Sequence, residues 1–156
     1  MLTTQTMAGT PAAGLRPRIG AITAFLGRFP LSILQLGFRL AIASVFLKAG
    51  LNKLGSWEIT VQLFRDEYKV PAFPPEIAAA MATTFEIGCS ALLIAGLATR
   101  LASLPLLGMI GIIQLFVYPG AYSEHLTWAS ILGFLITRGG GSFSLDRLLG
   151  LEPPRG

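Results

Sequence analysis

An arginine in the middle of an apolar run constrains this chain more than any other feature. The run reads Leu31-Ser-Ile-Leu-Gln-Leu-Gly-Phe-Arg39-Leu-Ala-Ile-Ala-Ser-Val-Phe-Leu47, and with its flanks it is long enough to cross a bilayer. An arginine at that depth costs roughly 3 kcal/mol unless it is paired. A second apolar run carries Glu86, with uncharged residues for many positions on either side. A buried cation and a buried anion in one bundle mark a functional centre as the first expectation.

Composition supports the membrane setting. The chain is 53% hydrophobic and 13% charged, where a soluble domain carries about 25% charged residues. Its mean hydropathy is +0.65. The net charge of +4 belongs to membrane ends rather than to nucleic acid, because no basic–aromatic stripe accompanies it. The sequence has one cysteine, Cys89, and one histidine, His125. An intramolecular disulfide, a self-contained Cys/His zinc site and a bis-histidine haem are therefore excluded. No iron–sulfur or flavin motif is present, so any enzyme activity depends on further subunits.

The expected fold is all-α: a polytopic membrane protein with a four-transmembrane-helix antiparallel bundle and a short interfacial helix in the first loop. The spans run from about Leu31 to Leu51, from Pro75 or Glu76 to Ala98, from Leu101 to Tyr118, and from Ser123 to Thr137. The fourth is marginal against the ~17–25 residues a span needs. Residues 1–30 form a basic cytoplasmic or interfacial segment, 31–138 the transmembrane domain and 139–156 a short cytoplasmic tail. Residues 1–30 lack an apolar core followed by a small-residue cleavage site, which predicts no cleaved signal peptide. Ile19–Leu26 is expected on the membrane surface. Thr99-Arg100 makes the second and third spans a hairpin. Trp57, Val61, Phe64 and Tyr68 recur near the helical period, which places an aromatic face toward lipid or toward the bundle mouth. Ser144 is positioned to cap a last short helix, and Pro153-Pro154 leaves a frayed end.

Arginines 16, 18, 28, 100, 138, 147 and 155 fall on one side of this topology. The positive-inside rule then puts both termini in the cytoplasm, and the expected location is a bacterial inner membrane. Depth follows from the rise per residue. Glu86 and Gln114 each lie about 20 Å from the inner end of their spans, and Arg39 about 12 Å. Arg39 either leans toward Glu86 or snorkels to the inner headgroups. Arg39, Glu86 and Gln114 are the candidate buried polar centre. Lys53 and His125 are candidates at the outer mouth, with Glu124 beside His125. There they either form a solvated interfacial group or contact a metal or a quinone headgroup. Cys89 reads as a small apolar residue rather than a redox thiol. Gly88, Ala91, Ala95, Gly108 and Gly111 are small surfaces suited to close helix contact.

Four pieces of the chain resemble the DoxX family of small four-helix membrane proteins. They are Arg39 with Phe46-Leu-Lys-Ala-Gly50-Leu-Asn-Lys53-Leu; Glu86-Ile-Gly88 with Leu93-Ile-Ala-Gly96-Leu-Ala-Thr-Arg100; the small-residue third span; and Gly139-Gly-Gly141-Ser-Phe-Ser144-Leu-Asp146. The resemblance implies Arg39, Lys53, Glu86, Arg100 and Asp146 as family-typical polar positions. It also implies a link to redox metabolism, since the family includes the membrane subunit of thiosulfate:quinone oxidoreductase.

Three functions are compatible with these readings. The first is a membrane subunit of a quinone-associated redox complex, with quinone as ligand and no cofactor held by this chain alone. The second is a non-catalytic accessory subunit, in which an Arg39–Glu86 pair fixes helix register. The third, a small-molecule or lipid transporter, ranks last because no broken helix or inverted repeat is visible. The expected partners are the lipid bilayer and other membrane-associated subunits, with a homo-oligomer as a further option and no nucleic acid.

Overall fold

The structure is a computed structural model that describes residues 15–70 and 73–151. Among the described residues every regular element is a helix, with no strand. The segments before residue 15 and after residue 151 lie outside the description, and so does the Pro153-Pro154 end.

Contacts divide the chain into two units, Met1–Pro30 and Leu31–Gly156. In the first, α1 spans Leu15–Gly27. Its apolar residues Ile19, Ile22, Phe25 and Leu26 are exposed, so Ile19–Leu26 is a helix with an unburied apolar face.

In the second unit, α2 (Leu31–Gly55) and α4 (Pro75–Ala95) pack face to face. α5 (Thr99–Ile112) continues through a π-helical turn over Ile113–Val117, and α6 covers Tyr122–Arg138. α4 packs on α5, α5 on α6, and α6 returns to α2. Between α2 and α4 lie α3 (Trp57–Leu63) and a second π-helical turn, Phe64–Tyr68. A short α7 (Leu145–Leu148) closes the described chain.

Each long helix buries one stripe. On α2 the stripe is Gln35, Arg39, Ile42, Ala43, Phe46 and Gly50, at helical spacing. Its Ile42, Ala43 and Phe46 join Leu93, Leu106, Leu132 and Leu135 in the apolar core. The exterior is apolar where a soluble protein's would be polar, and several polar groups are buried. Arg39, Glu86, Ser90, Ser103 and Thr99 are buried, whereas Leu40, Phe85, Leu101, Leu104 and Leu115 face outward. An outer surface of this kind is stable against hydrocarbon rather than water. Three helices, Leu31–Gly55, Pro75–Ala95 and Thr99–Val117, are long and apolar enough to cross a membrane. The fourth predicted span, α6, has 17 residues and is not among them.

Two ends of this unit can be told apart. The hairpin end holds the α4–α5 turn and the residues after α6. The loop end holds α3 and the Tyr118–Ala121 turn. α4 stops at Gly96, whose φ of 70° suits glycine. The Leu97 amide bonds back to the Leu92 carbonyl and the Gly96 amide to that of Leu93, which is a Schellman cap.

The small residues do not work where the sequence placed them. A Cβ at Gly88, Gly108 or Gly111 would meet nothing within 4 Å. The close approach is at Gly50, where a Cβ would lie 2.7 Å from Ile87 Cγ1 and 3.0 Å from Glu86 Cβ. The aromatic face of the loop helix turns toward the bundle mouth, since Phe64, Val61 and Tyr68 pack on Ala78 and Ala79 of α4.

Candidate functional site

The expected Arg39–Glu86 contact is not how either side chain is used. Arg39 is 1% exposed and spends its guanidinium on backbone. Nε donates to the Leu93 carbonyl at 2.7 Å and Nη2 to that of Ile94 at 2.8 Å. Nη1 donates to the carbonyls of Gly140 and Phe143 at 3.0 and 2.8 Å. Leu93 and Ile94 belong to the last turn of α4, whose carbonyls carry the negative end of the helix dipole. The arginine therefore meets partial negative charge at the end of a helix, and it is buried rather than extended toward the surface. Glycine at 96 makes room, because a Cβ there would strike the guanidinium.

The rest of the hairpin end is built in the same way. Asp146 accepts from the Ala98 and Thr99 amides at 2.6 and 2.8 Å. It thereby caps the N-terminus of α5. Gln35 Nε2 donates to the Arg138 and Gly139 carbonyls, and Arg100 to those of Ile136 and Thr137 at the end of α6. Ser144 caps α7, accepting from the Arg147 amide. Residues 139–146 are thus locked into the bundle rather than trailing as a tail.

The loop end holds the other candidates. Lys53 stands one turn beyond Gly50 on the same face of α2, and the close approach of the helices brings its Nζ to both oxygens of Glu86, at 2.7 and 2.8 Å. Glu86 is 3% exposed and the lysine side chain 21%. Gln114 does not join them. Its Nε2 donates to the Pro119 carbonyl at 2.8 Å, and its Oε1 lies 2.7 Å from His125 Nδ1. The straight-helix depth calculation missed this because a π-helical turn begins at Ile113, which adds a residue to the turn and swings Gln114 to another direction.

Lys53, Glu86 and His125 border a partly open cavity of about 1010 Å³. Its walls are largely apolar and aromatic, including Phe46, Phe64, Phe85 and Trp128, with Lys53, Glu86, Glu124 and His125 as charged or polar points. Tyr68 and Tyr118 also line it, their rings 6.0 Å apart. Burial, reinforced by Tyr118 alongside, raises the Tyr68 phenol well above the usual tyrosine range, so it stays protonated. Such a cavity, with few polar groups in an apolar lining, has the character of a small-molecule site. Sequence reasoning missed its aromatic wall, since Phe46, Phe85 and Trp128 come from three different helices.

The fold and the site define an integral membrane protein with a polar-tipped apolar cavity between its helices. The DoxX family model matches residues 34–119, more than half of the chain, and the chain belongs to that family. Arg39, Lys53, Glu86, Arg100 and Gln114 fall inside the match, and His125 and Asp146 lie beyond it. No curated protein and no solved structure matches the chain.

Proposed function

We propose that the protein is the membrane subunit of a redox-linked complex and that its loop-end cavity holds a quinone headgroup. The observation that carries the reading is the coincidence, in one cavity, of aromatic walls and the Lys53–Glu86 pair. A quinone needs apolar walls for its ring and a hydrogen-bond donor for its oxygens. An ammonium has three hydrogens, of which Glu86 engages two, leaving one for a ligand. When bound, a quinone would supply the electron chemistry that this chain lacks, and Lys53 and Glu86 would orient it and hold a proton nearby. The architecture that suits this role is a four-helix antiparallel bundle in the bacterial inner membrane, with α6 as a short fourth span and both termini cytoplasmic.

Purification in mild detergent followed by mass spectrometry of bound lipids and proteins tests the reading. It expects a quinone and a redox partner to travel with the wild type, and quinone to be depleted in Glu86→Gln. A preparation free of quinone that still binds its partner would favour the accessory role. That role has its own support in Arg39, which is committed to backbone carbonyls and is not available to a ligand.

A further inference from the structure

His125 is 4% exposed and lines the cavity. One ring nitrogen, Nδ1, is bonded to Gln114. The chemistry of the chain Pro119–Gln114–His125 fixes which nitrogen carries the hydrogen. A proline carbonyl only accepts, so the Gln114 group facing it must be the donating NH2. The Gln114 oxygen then faces the histidine, and oxygen only accepts. Nδ1 must therefore carry the hydrogen. In the neutral ring this leaves Nε2 as a bare acceptor.

Gln114 is not part of the cavity wall and His125 is, so the ring edge opposite Gln114 is the one left to the cavity. Trp128, on the same wall, stands 5.7 Å from the imidazole by ring centroids. Among the described residues no group donates to Nε2, and the atom is not sealed off, so a donor from whatever fills the cavity can reach it.

We infer that the cavity selects amphiphiles whose polar end carries a hydroxyl donor, the phenol or hydroquinone class, and seats that hydroxyl on His125 Nε2. This rests on the cavity proposed above as a quinone site and sharpens it, because an oxidised quinone has acceptors only and leaves Nε2 unpaired. Gln114 acts here as a positioning residue. It touches no ligand and sets the tautomer that makes Nε2 an acceptor.

The test uses the full chain in detergent with Trp57→Phe, so that Trp128 is the sole tryptophan. Quenching of its fluorescence is followed with 4-nonylphenol and with the O-methyl ether of the same phenol, after subtraction of empty micelles. The two probes share shape and tail and differ in the donor. The phenol should bind about tenfold more tightly. His125→Phe should bring the two affinities together. Gln114→Leu, which leaves the histidine in place but frees its tautomer, should reduce the preference; it serves as the second variant should His125→Phe fail to fold.

Equal affinities in the parent protein would overturn the inference, as would a preference that survives His125→Phe or an absence of saturable binding. A decyl-substituted benzoquinone separates this outcome from the fate of the quinone reading. If the benzoquinone binds saturably and the phenol has no advantage over its ether, the quinone site stands and the donor preference falls. If the phenol preference holds while no quinone binds or copurifies, the preference stands and the quinone reading falls.

Discussion

Lys53 Nζ sits 2.7 Å and 2.8 Å from the two carboxylate oxygens of Glu86, across the contact between α2 and α4 that Gly50 opens. The pair should behave as a unit. Removing one partner strands a charge in an apolar wall, at a cost of about 3 kcal/mol or more, while removing both is close to neutral. Thermal unfolding of Lys53→Met, Glu86→Gln and the double variant in one detergent checks this. Each single variant should unfold at a lower temperature than the double. Additive losses would show that the pair contributes no coupling.

The same measurement applied to Arg39 and Glu86 should give the opposite result. Arg39 bonds carbonyls at the end of α4, seven and eight residues beyond Glu86, which is about 10–12 Å along the helix. Groups that far apart with no shared partners add to within about 0.5 kcal/mol. Arg39→Leu should be strongly destabilising, because it removes charge-assisted hydrogen bonds to four carbonyls. Arg39→Lys should recover only part, since a point charge cannot reproduce a fork aimed at four carbonyls. A coupling energy above about 1 kcal/mol between Arg39 and Glu86 would mean that the two meet directly after all.

Much of this arrangement was legible in the sequence, and the part that was not has a physical cause. Apolar run lengths located the helices, and Thr99-Arg100 located the hairpin. The same runs made Arg39, Glu86 and Gln114 conspicuous. What the sequence could not supply was the partner of each. A charge in an apolar run invites a search for the opposite charge, and Arg39 found backbone carbonyls, which no residue code announces. The available signal was Gly96 together with Gly139-Gly-Gly141, the glycines that let backbone approach a guanidinium. Counting depth along ideal helices places Lys53 at the mouth and Glu86 in the centre. The actual pairing depends on where α2 and α4 come closest, and Gly50 decides that.

Tyr68 gives a pH-dependent expectation outside the spans. Its phenol is held above the ordinary value of about 10 by burial first and by Tyr118 next. Folding then favours the protonated form. The contribution is fully present below the unfolded-state value and is lost as pH climbs above it. An ultraviolet titration should show one tyrosine ionising late, and Tyr68→Phe should remove that late step. Stability of the wild type should fall more steeply above about pH 10 than that of Tyr68→Phe. A titration whose late end Tyr68→Phe leaves unchanged would contradict the burial.

Two glycines separate close helix contact from mere smallness. At Gly50 an added Cβ would lie 2.7 Å from Ile87 Cγ1 and 3.0 Å from Glu86 Cβ, and neither atom is the free end of a flexible side chain. Gly50→Ala should therefore push α2 away from α4, at about 1–3 kcal/mol, the usual cost of overpacking. It should also stretch the Lys53–Glu86 pair, so that adding Lys53→Met on top costs less than it does in the parent. At Gly88 an added Cβ would meet nothing within 4 Å, and replacing a mid-helix glycine by alanine gains up to about 1 kcal/mol of helix propensity. Gly88→Ala should be neutral or stabilising. Unfolding midpoints of the two variants, measured side by side, check the contrast. Equal losses at both positions would place the helix contact elsewhere.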